Sequence, residues 1–310
     1  MGISRYPSTV TMPEAKQPYP SILEFLCIRF PSLPREVWKL RLAQGKLLDA
    51  SGNPLGPDDG YAPGRQVRYF REVSDEPKIP LTDAILFQDD ELLVACKPPF
   101  LPVTPGGRYV NECLLNRLRL RSGNDDLVPL HRIDRETAGI VLFSANRGNR
   151  DRYADLFRKG AVEKSYLALS RSVPPPGKTR WEVADRIVKG DPWFRMKTTP
   201  GTVNARSTIT LMEVREKMAR FQLQPQTGKT HQLRLHMSEL GFGIANDRLY
   251  PVLQPESPDD FRHPLQLLAK SIRFQDPITG AHREFVSPRE LTWEATVLRT
   301  PHAGGYGETE

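Results

Sequence analysis

Cysteine is scarce in these 310 residues: only Cys27, Cys96 and Cys113 occur, far apart and with no C-x-x-C pair. A disulfide framework and a thiolate metal site are thereby excluded, and the three read as buried free thiols in a reducing compartment. No run of about 18 apolar residues is present, which rules out a hydrophobic membrane-spanning helix. The N-terminal stretch lacks the basic-then-apolar layout of a secretory signal, so the expected location is the cytoplasm. Glycine-rich phosphate loops of the Rossmann or Walker type are also missing, Gly106-Gly107 being too short to count.

What the chain has in quantity is proline and positive charge. Its 29 prolines imply many ordered loops and short elements, and argue against a helical bundle. The 44 Lys and Arg against 37 Asp and Glu leave a net charge of +7, which favours a polyanionic partner without requiring one. With 38% hydrophobic and 26% charged residues, the composition is that of a soluble globular protein. The length allows one large domain and a small one.

Residues 1–18 carry no periodicity and are expected to form a disordered arm. Ser21-Ile22-Leu23-Glu24 is a capping box that opens a helix to about Phe30, with Ile22, Phe25 and Leu26 on its buried stripe. Pro34 starts a second helix that Gly45 ends, and short strands are expected at 46–49 and 66–71. Residues 73–80 are polar and proline-bearing, hence a linker. Beyond it the pattern predicts a hairpin over 85–96 and helices near 110–121, 147–159 and 231–240. Strands are predicted at 140–145, 162–169, 181–184, 204–214, 219–225, 265–274 and 282–286. Strands outnumber helices without strict βαβ alternation. The expected fold is therefore α+β: a mixed, largely antiparallel sheet over 81–298, a small domain over 19–72 and a loose tail over 299–310.

One stretch stands out, His131-Arg132-Ile133-Asp134-Arg135-Glu136-Thr137-Ala138-Gly139, with an apolar run directly after it. A lone aspartate in a turn is usually a cap. A carboxylate displayed on a loop at the mouth of a sheet, with cations nearby that favour the charged form, has the outline of a nucleophile. A second segment, Val162-Glu163-Lys164-Ser165-Tyr166-Leu167, puts Lys164 and Tyr166 on one face of a strand. A third, Gln226-Thr227-Gly228-Lys229-Thr230-His231-Gln232-Leu233-Arg234-Leu235-His236, opens a helix with Thr230 as its expected cap. Leu233, Met237 and Leu240 share its stripe, and Gly241 closes it. Arg234 lies off the stripe, free to reach out of the core.

Together these segments resemble the RluA-type RNA pseudouridine synthases, whose patterns read HRLD-x-x-T-S-G, K-x-Y and T-G-R-T-H-Q-I-R-x-H. The match covers about residues 81–290, with the motifs in the family's order. The resemblance implies that Asp134 is the nucleophile and that Arg234 pairs with it. It implies that Tyr166 packs against an everted uracil with Lys164 nearby, and that Leu267 lines the pocket below the base. Arg132 would fill the gap left in the RNA, its flat guanidinium suiting that role. His131, Thr137, Lys229 and His231 complete the implied substrate site. Residues 19–72 are similar to the S4-like RNA-binding domain found in front of many such enzymes, with Arg29, Arg35, Lys39, Arg41 and Lys46 as its cations. The chain departs from the family at Lys229 (usually Arg), Gly243 (Pro), Asn246 (Gly) and Leu268 (His), and keeps Asp247 and Tyr250.

An enzyme of this kind isomerises uridine in ribosomal or transfer RNA. The reaction adds no atom and moves no electrons between molecules, so neither metal nor cofactor is expected; RNA is the expected partner and a monomer the expected state. A metal hydrolase using His131, Asp134, His231 and His236 is disfavoured, because positions five apart on a helix point about 140° from each other. A non-catalytic RNA-binding protein of the same fold is set against the retention of Asp134, Tyr166 and Arg234. A nucleosidase would need a second carboxylate to activate water, and none is evident.

Overall fold

The computed structural model describes residues 2–14 and 17–293. The tail expected over 299–310 lies outside the described residues. Contacts divide the chain into two compact units. One holds the residues up to Lys78 together with Pro105–Arg117; the other holds Ile79–Thr104 and the chain from Leu118 onward.

The first unit contains β1 (Gly2–Ile3), β2 (Ser8–Thr11), α1 (Ile22–Arg29), α2 (Arg35–Ala43), β3 (Leu47–Leu48), β4 (Gln66–Tyr69) and β5 (Glu72–Val73). Ser21 caps α1 as expected, its Oγ accepting the Glu24 N–H at 3.2 Å. Ile22, Phe25 and Leu26 then meet Trp38 and Leu42 of α2 in a closed core. The expectation of a disordered arm is corrected here. β2 pairs along β4, β1 pairs with β5, and Met12 is buried. Strands of two and four residues are too short to show a period, and their hydrogen-bond partners come from strands remote in sequence. Four of the five cations expected to face phosphate already have carboxylates: Arg35 with Glu24, Lys39 with Glu36, and Arg41 and Lys46 with Glu72.

From there the chain runs through β6 (Ala84–Gln88), β7 (Leu92–Lys97), α3 (Leu114–Ser122), β8 (Val128–Pro129), β9 (Ala138–Ser144), α4 (Arg150–Arg158) and β10 (Glu163–Ser170). It continues through β11 (Arg180–Asp185), β12 (Ile187–Lys189), β13 (Met196–Thr198), β14 (Ala205–Arg215), β15 (Met218–Pro225), α5 (Gln232–Glu239), β16 (Leu267–Gln275) and β17 (His282–Val286). Ten of these strands form one sheet in the order β11-β14-β15-β10-β16-β9-β7-β6, with β17 on β16 and β8 on β9. The fold is α+β with a mixed, largely antiparallel sheet, as the pattern predicted. The short β8 and the β12–β13 ribbon were not foreseen, because strands of two or three residues carry no readable alternation.

Among the described residues one pairing in this sheet is parallel, and it is brief: Leu268 opposite Ala138 and Ala269 opposite Gly139. Gly139 is what permits it. Its φ is +115°, and a Cβ there would stand 2.2 Å from the Ala269 carbonyl oxygen. β9 therefore meets β16 for two residues only, and the chain just before Ala138 runs outside the sheet. That short junction positions the site.

Candidate active site

A cavity of about 410 Å3 opens where β9 departs from β16. Loop 131–137 forms one wall, Lys164 and Tyr166 of β10 another, the 225–234 segment a third, and Leu267 the start of β16. All ten residues expected at the site from sequence line it, although they come from four separate stretches of chain. Arg132 and Lys229 are exposed, whereas Thr137 and Leu267 are buried.

Arg234 Nη1 lies 3.5 Å from Asp134 and 3.7 Å from Glu136. Its hydrogen bonds go elsewhere: Nε and Nη2 donate to the two carboxylate oxygens of Asp247, at 2.8 and 2.6 Å. The guanidinium does not reach out of the core, as the helix pattern had implied; it is 1% exposed. Burial alone would lower its pKa, but the Asp247 bonds and the charges of Asp247, Asp134 and Glu136 outweigh that and raise it. Nη1 itself is buried with no hydrogen-bond partner, which leaves it the edge directed at Asp134. Asp247 was visible in the sequence as a retained motif residue, yet nothing there said that it holds Arg234.

The loop that carries Asp134 is braced at several points. His131 Nε2 accepts the Leu142 N–H at 3.1 Å, and its ring stacks on Phe157 with centroids 5.0 Å apart. Burial, with a smaller contribution from the Lys164 charge, pushes its pKa down to about 3, so the ring is neutral. Arg135 makes a two-pronged ion pair with Asp259, at 2.8 and 2.9 Å. Lys97, missed by the sequence reading, donates to the carbonyls of Pro98, Leu101 and Arg135 at 2.9, 2.7 and 2.9 Å. Burial pushes its pKa down to about 7 against the charges of Glu136 and Asp134, while three carbonyl acceptors match the three protons of an ammonium. Within the loop, the Thr137 N–H donates to the Asp134 carbonyl at 3.2 Å.

Across the cavity, burial pushes the Tyr166 phenol well above its ordinary range, and the Asp134 charge adds to that. Burial lowers the pKa of Lys164. The cap of α5 is His231, not the expected Thr230; it sits at φ +53° with no side-chain cap bond. The reason is Gln232. Its Oε1 accepts from the Thr227 hydroxyl and the Lys229 N–H at 2.7 and 3.0 Å, and its Nε2 donates to Arg206 O and Ser207 Oγ at 2.9 and 2.8 Å. That amide ties down the 227–231 loop without help from Thr230. His231 Nδ1 is 3.1 Å from the Tyr250 hydroxyl, and Nε2 is 4.0 Å from Asp134. Burial lowers its pKa, with Asp134 opposing.

Two departures from the family pattern find local explanations. Asn246 has φ +64°, a backbone state that glycine adopts freely and asparagine tolerates. Leu268, in place of the family's histidine, is buried in the sheet opposite Ala138. His236 faces Asp185 at 3.8 Å and does not line the cavity. Among the described residues, no three His, Cys, Asp or Glu side chains converge in a metal-binding arrangement, and no helix is long and apolar enough to cross a membrane.

Residues 91–239 match a family model described as RNA pseudouridylate synthase. The ribosomal large subunit pseudouridine synthase C of Rickettsia typhi is 30% identical over 220 residues, which span 68% of this chain and 72% of that protein. An RNA pseudouridine synthase of Synechocystis is 27% identical over 238 residues, 74% of this chain and 79% of that one. Against four other relatives the match spans 53–62% of their length. The solved structure of human RNA pseudouridylate synthase domain containing 4 aligns with a TM-score of 0.52 at 25% identity, over 67% of this chain and 88% of that one.

Proposed function

The chain belongs to the RNA pseudouridine synthase family, and we propose that it isomerises uridine to pseudouridine in folded ribosomal or transfer RNA. The reaction breaks the N1–C1′ glycosidic bond, turns the uracil within the site and rejoins it through C5, whose proton is released as N1 gains one. It requires a nucleophile, a slot that retains the detached base, and exclusion of water. The convergence of Asp134, Tyr166, Leu267 and Arg234 on one cavity, from separate segments of chain, carries this reading.

In this reading Asp134 attacks the everted uridine, and Arg234 keeps its carboxylate oriented without competing for it, since Asp247 saturates two edges of the guanidinium. Tyr166 and Leu267 hold the free base between them. A phenol raised by burial is a poor base at neutral pH, which favours packing over proton abstraction for Tyr166. Lys164, Lys229 and Arg132 supply cations at the cavity for phosphate or for the gap left by the flipped nucleotide. His131 and Thr137 contribute by fixing the loop, and His231 by facing Asp134 with its Nε2 edge. The first unit serves as an S4-like grip on RNA, and the enzyme acts as a cytoplasmic monomer.

Pseudouridine mapping of total RNA from cells with and without this chain tests the proposal. At least one uridine should lose modification when the chain is removed; an unchanged map would overturn it.

A further inference from the structure

The β12–β13 ribbon ends in two large aromatic side chains that the fold leaves uncovered. Trp193 is 77% exposed and Phe194 42% exposed, their rings packed edge to face with centroids 6.0 Å apart. The tip is a tight turn, with the Gly190 N–H donating to Arg195 O and the Arg195 N–H to Pro192 O, both at 2.8 Å. Its root is firmly seated. Ile187 and Met196 pack with Leu235 and Tyr250. The Met196 N–H donates to the Tyr250 hydroxyl at 2.7 Å, and the Arg195 guanidinium lies 5.1 Å from the centre of the Tyr250 ring. That same hydroxyl is 3.1 Å from His231 Nδ1, on the wall of the active-site cavity. A rigid base beside the site thus presents a bare aromatic tip.

Leaving a tryptophan in water forfeits the stabilisation that its burial would give. The charge around the tip indicates what covers it. Arg186, Lys189, Arg195 and Lys197 lie on the ribbon against Asp185 and Asp191, and Lys189 and Lys197 are exposed. Flat aromatic faces interleaved with cations are the arrangement that binds unstacked nucleotides, rings against bases and cations along phosphates.

We propose that Trp193, with Phe194 buttressing it, stacks on an unpaired base of the substrate RNA next to the uridine being everted. The proposal rests on RNA being the substrate. Trp193 stands three residues, at most about 10 Å of chain, from Met196, which the Tyr250 hydroxyl links to His231 on the cavity wall, so the base it meets lies on the strand that flanks the target. The ribbon supplies a sequence-tolerant grip that holds the flanking strand while the target leaves its stack.

The test compares wild-type protein with Trp193→Ala and Trp193→Phe in the full chain. The probe is unmodified ribosomal RNA, with an oligouridine 12-mer as the unpaired reference. Trp193→Ala should weaken binding to both by about 5- to 150-fold, the range for loss of one stacked base. Trp193→Phe should recover most of the affinity. Because Trp193 is exposed, circular dichroism of the two variants should match wild type. Unchanged RNA affinity in Trp193→Ala would overturn the proposal, as would concentration-dependent self-association that this substitution abolishes. Weakened binding by Trp193→Ala in a protein that forms no pseudouridine would support the stacking role while overturning the assigned activity.

Discussion

Asp247 grips Arg234 through both Nε and Nη2, at 2.8 and 2.6 Å, and leaves Nη1 turned toward Asp134. The carboxylate that holds the cation is therefore not the one proposed to react. A single arginine shared this way can orient Asp134 while its own position is fixed from behind.

Removing that support should cost both stability and rate. Asp247→Ala leaves a guanidinium buried without its partner, which typically destabilises a protein by about 3–5 kcal/mol. Asp247→Asn keeps the shape and one acceptor, so it should fold and bind RNA near wild-type affinity but turn over at least about tenfold more slowly. Single-turnover kinetics with the Asn variant, read beside RNA affinity, check this; unchanged turnover would speak against the role.

The Arg135–Asp259 pair ties the residue after Asp134 to the 251–264 loop. Asp259→Asn should lower kcat by several-fold with little change in KM, because it loosens the loop rather than the substrate contacts. A change confined to KM would mean that Asp259 acts on RNA recognition instead.

Tyr166 is expected to work through its ring. Tyr166→Phe should retain most activity and Tyr166→Leu should lose at least about a hundredfold, since burial holds the phenol in its protonated form at neutral pH. Turnover by the Phe variant as low as that of the Leu variant would return the hydroxyl to the chemistry.

His131 makes stability depend on pH. Its ring titrates at about 3 in the folded protein against an ordinary value of 6.5. Between these limits the unfolded chain takes up a proton that the folded one refuses, so stability is full above about 6.5 and falls as pH drops toward 3. At about 1.4 kcal/mol per pKa unit, and allowing for partial exposure of the ring, the loss between pH 7 and pH 4 is about 1–3 kcal/mol. Urea unfolding of wild type and His131→Gln at the two pH values measures it; the variant should show the smaller loss.

The sequence was most legible where several levels agreed. The Ser21 cap, the Lys164–Tyr166 alternation and the strand runs each rest on a local rule, and the structure follows them. What stayed hidden depended on contacts between distant segments. Asp247 is an ordinary aspartate until α5 brings Arg234 beside it, and Lys97 reads as the end of a strand until three carbonyls surround it. The misplaced α5 cap has the same origin: Thr230 is a good capping residue, but Gln232 fixes the turn through partners on β14. Strands as short as β2, β12 and β13 could not be read at all, because their hydrogen bonds are set by neighbours outside their own sequence.

The most direct test is Asp134→Asn, which keeps the volume of the side chain and removes its negative charge. RNA binding should remain within a few-fold of wild type while pseudouridine formation falls below detection. Appreciable isomerisation by this variant would contradict the assignment of Asp134 as the nucleophile.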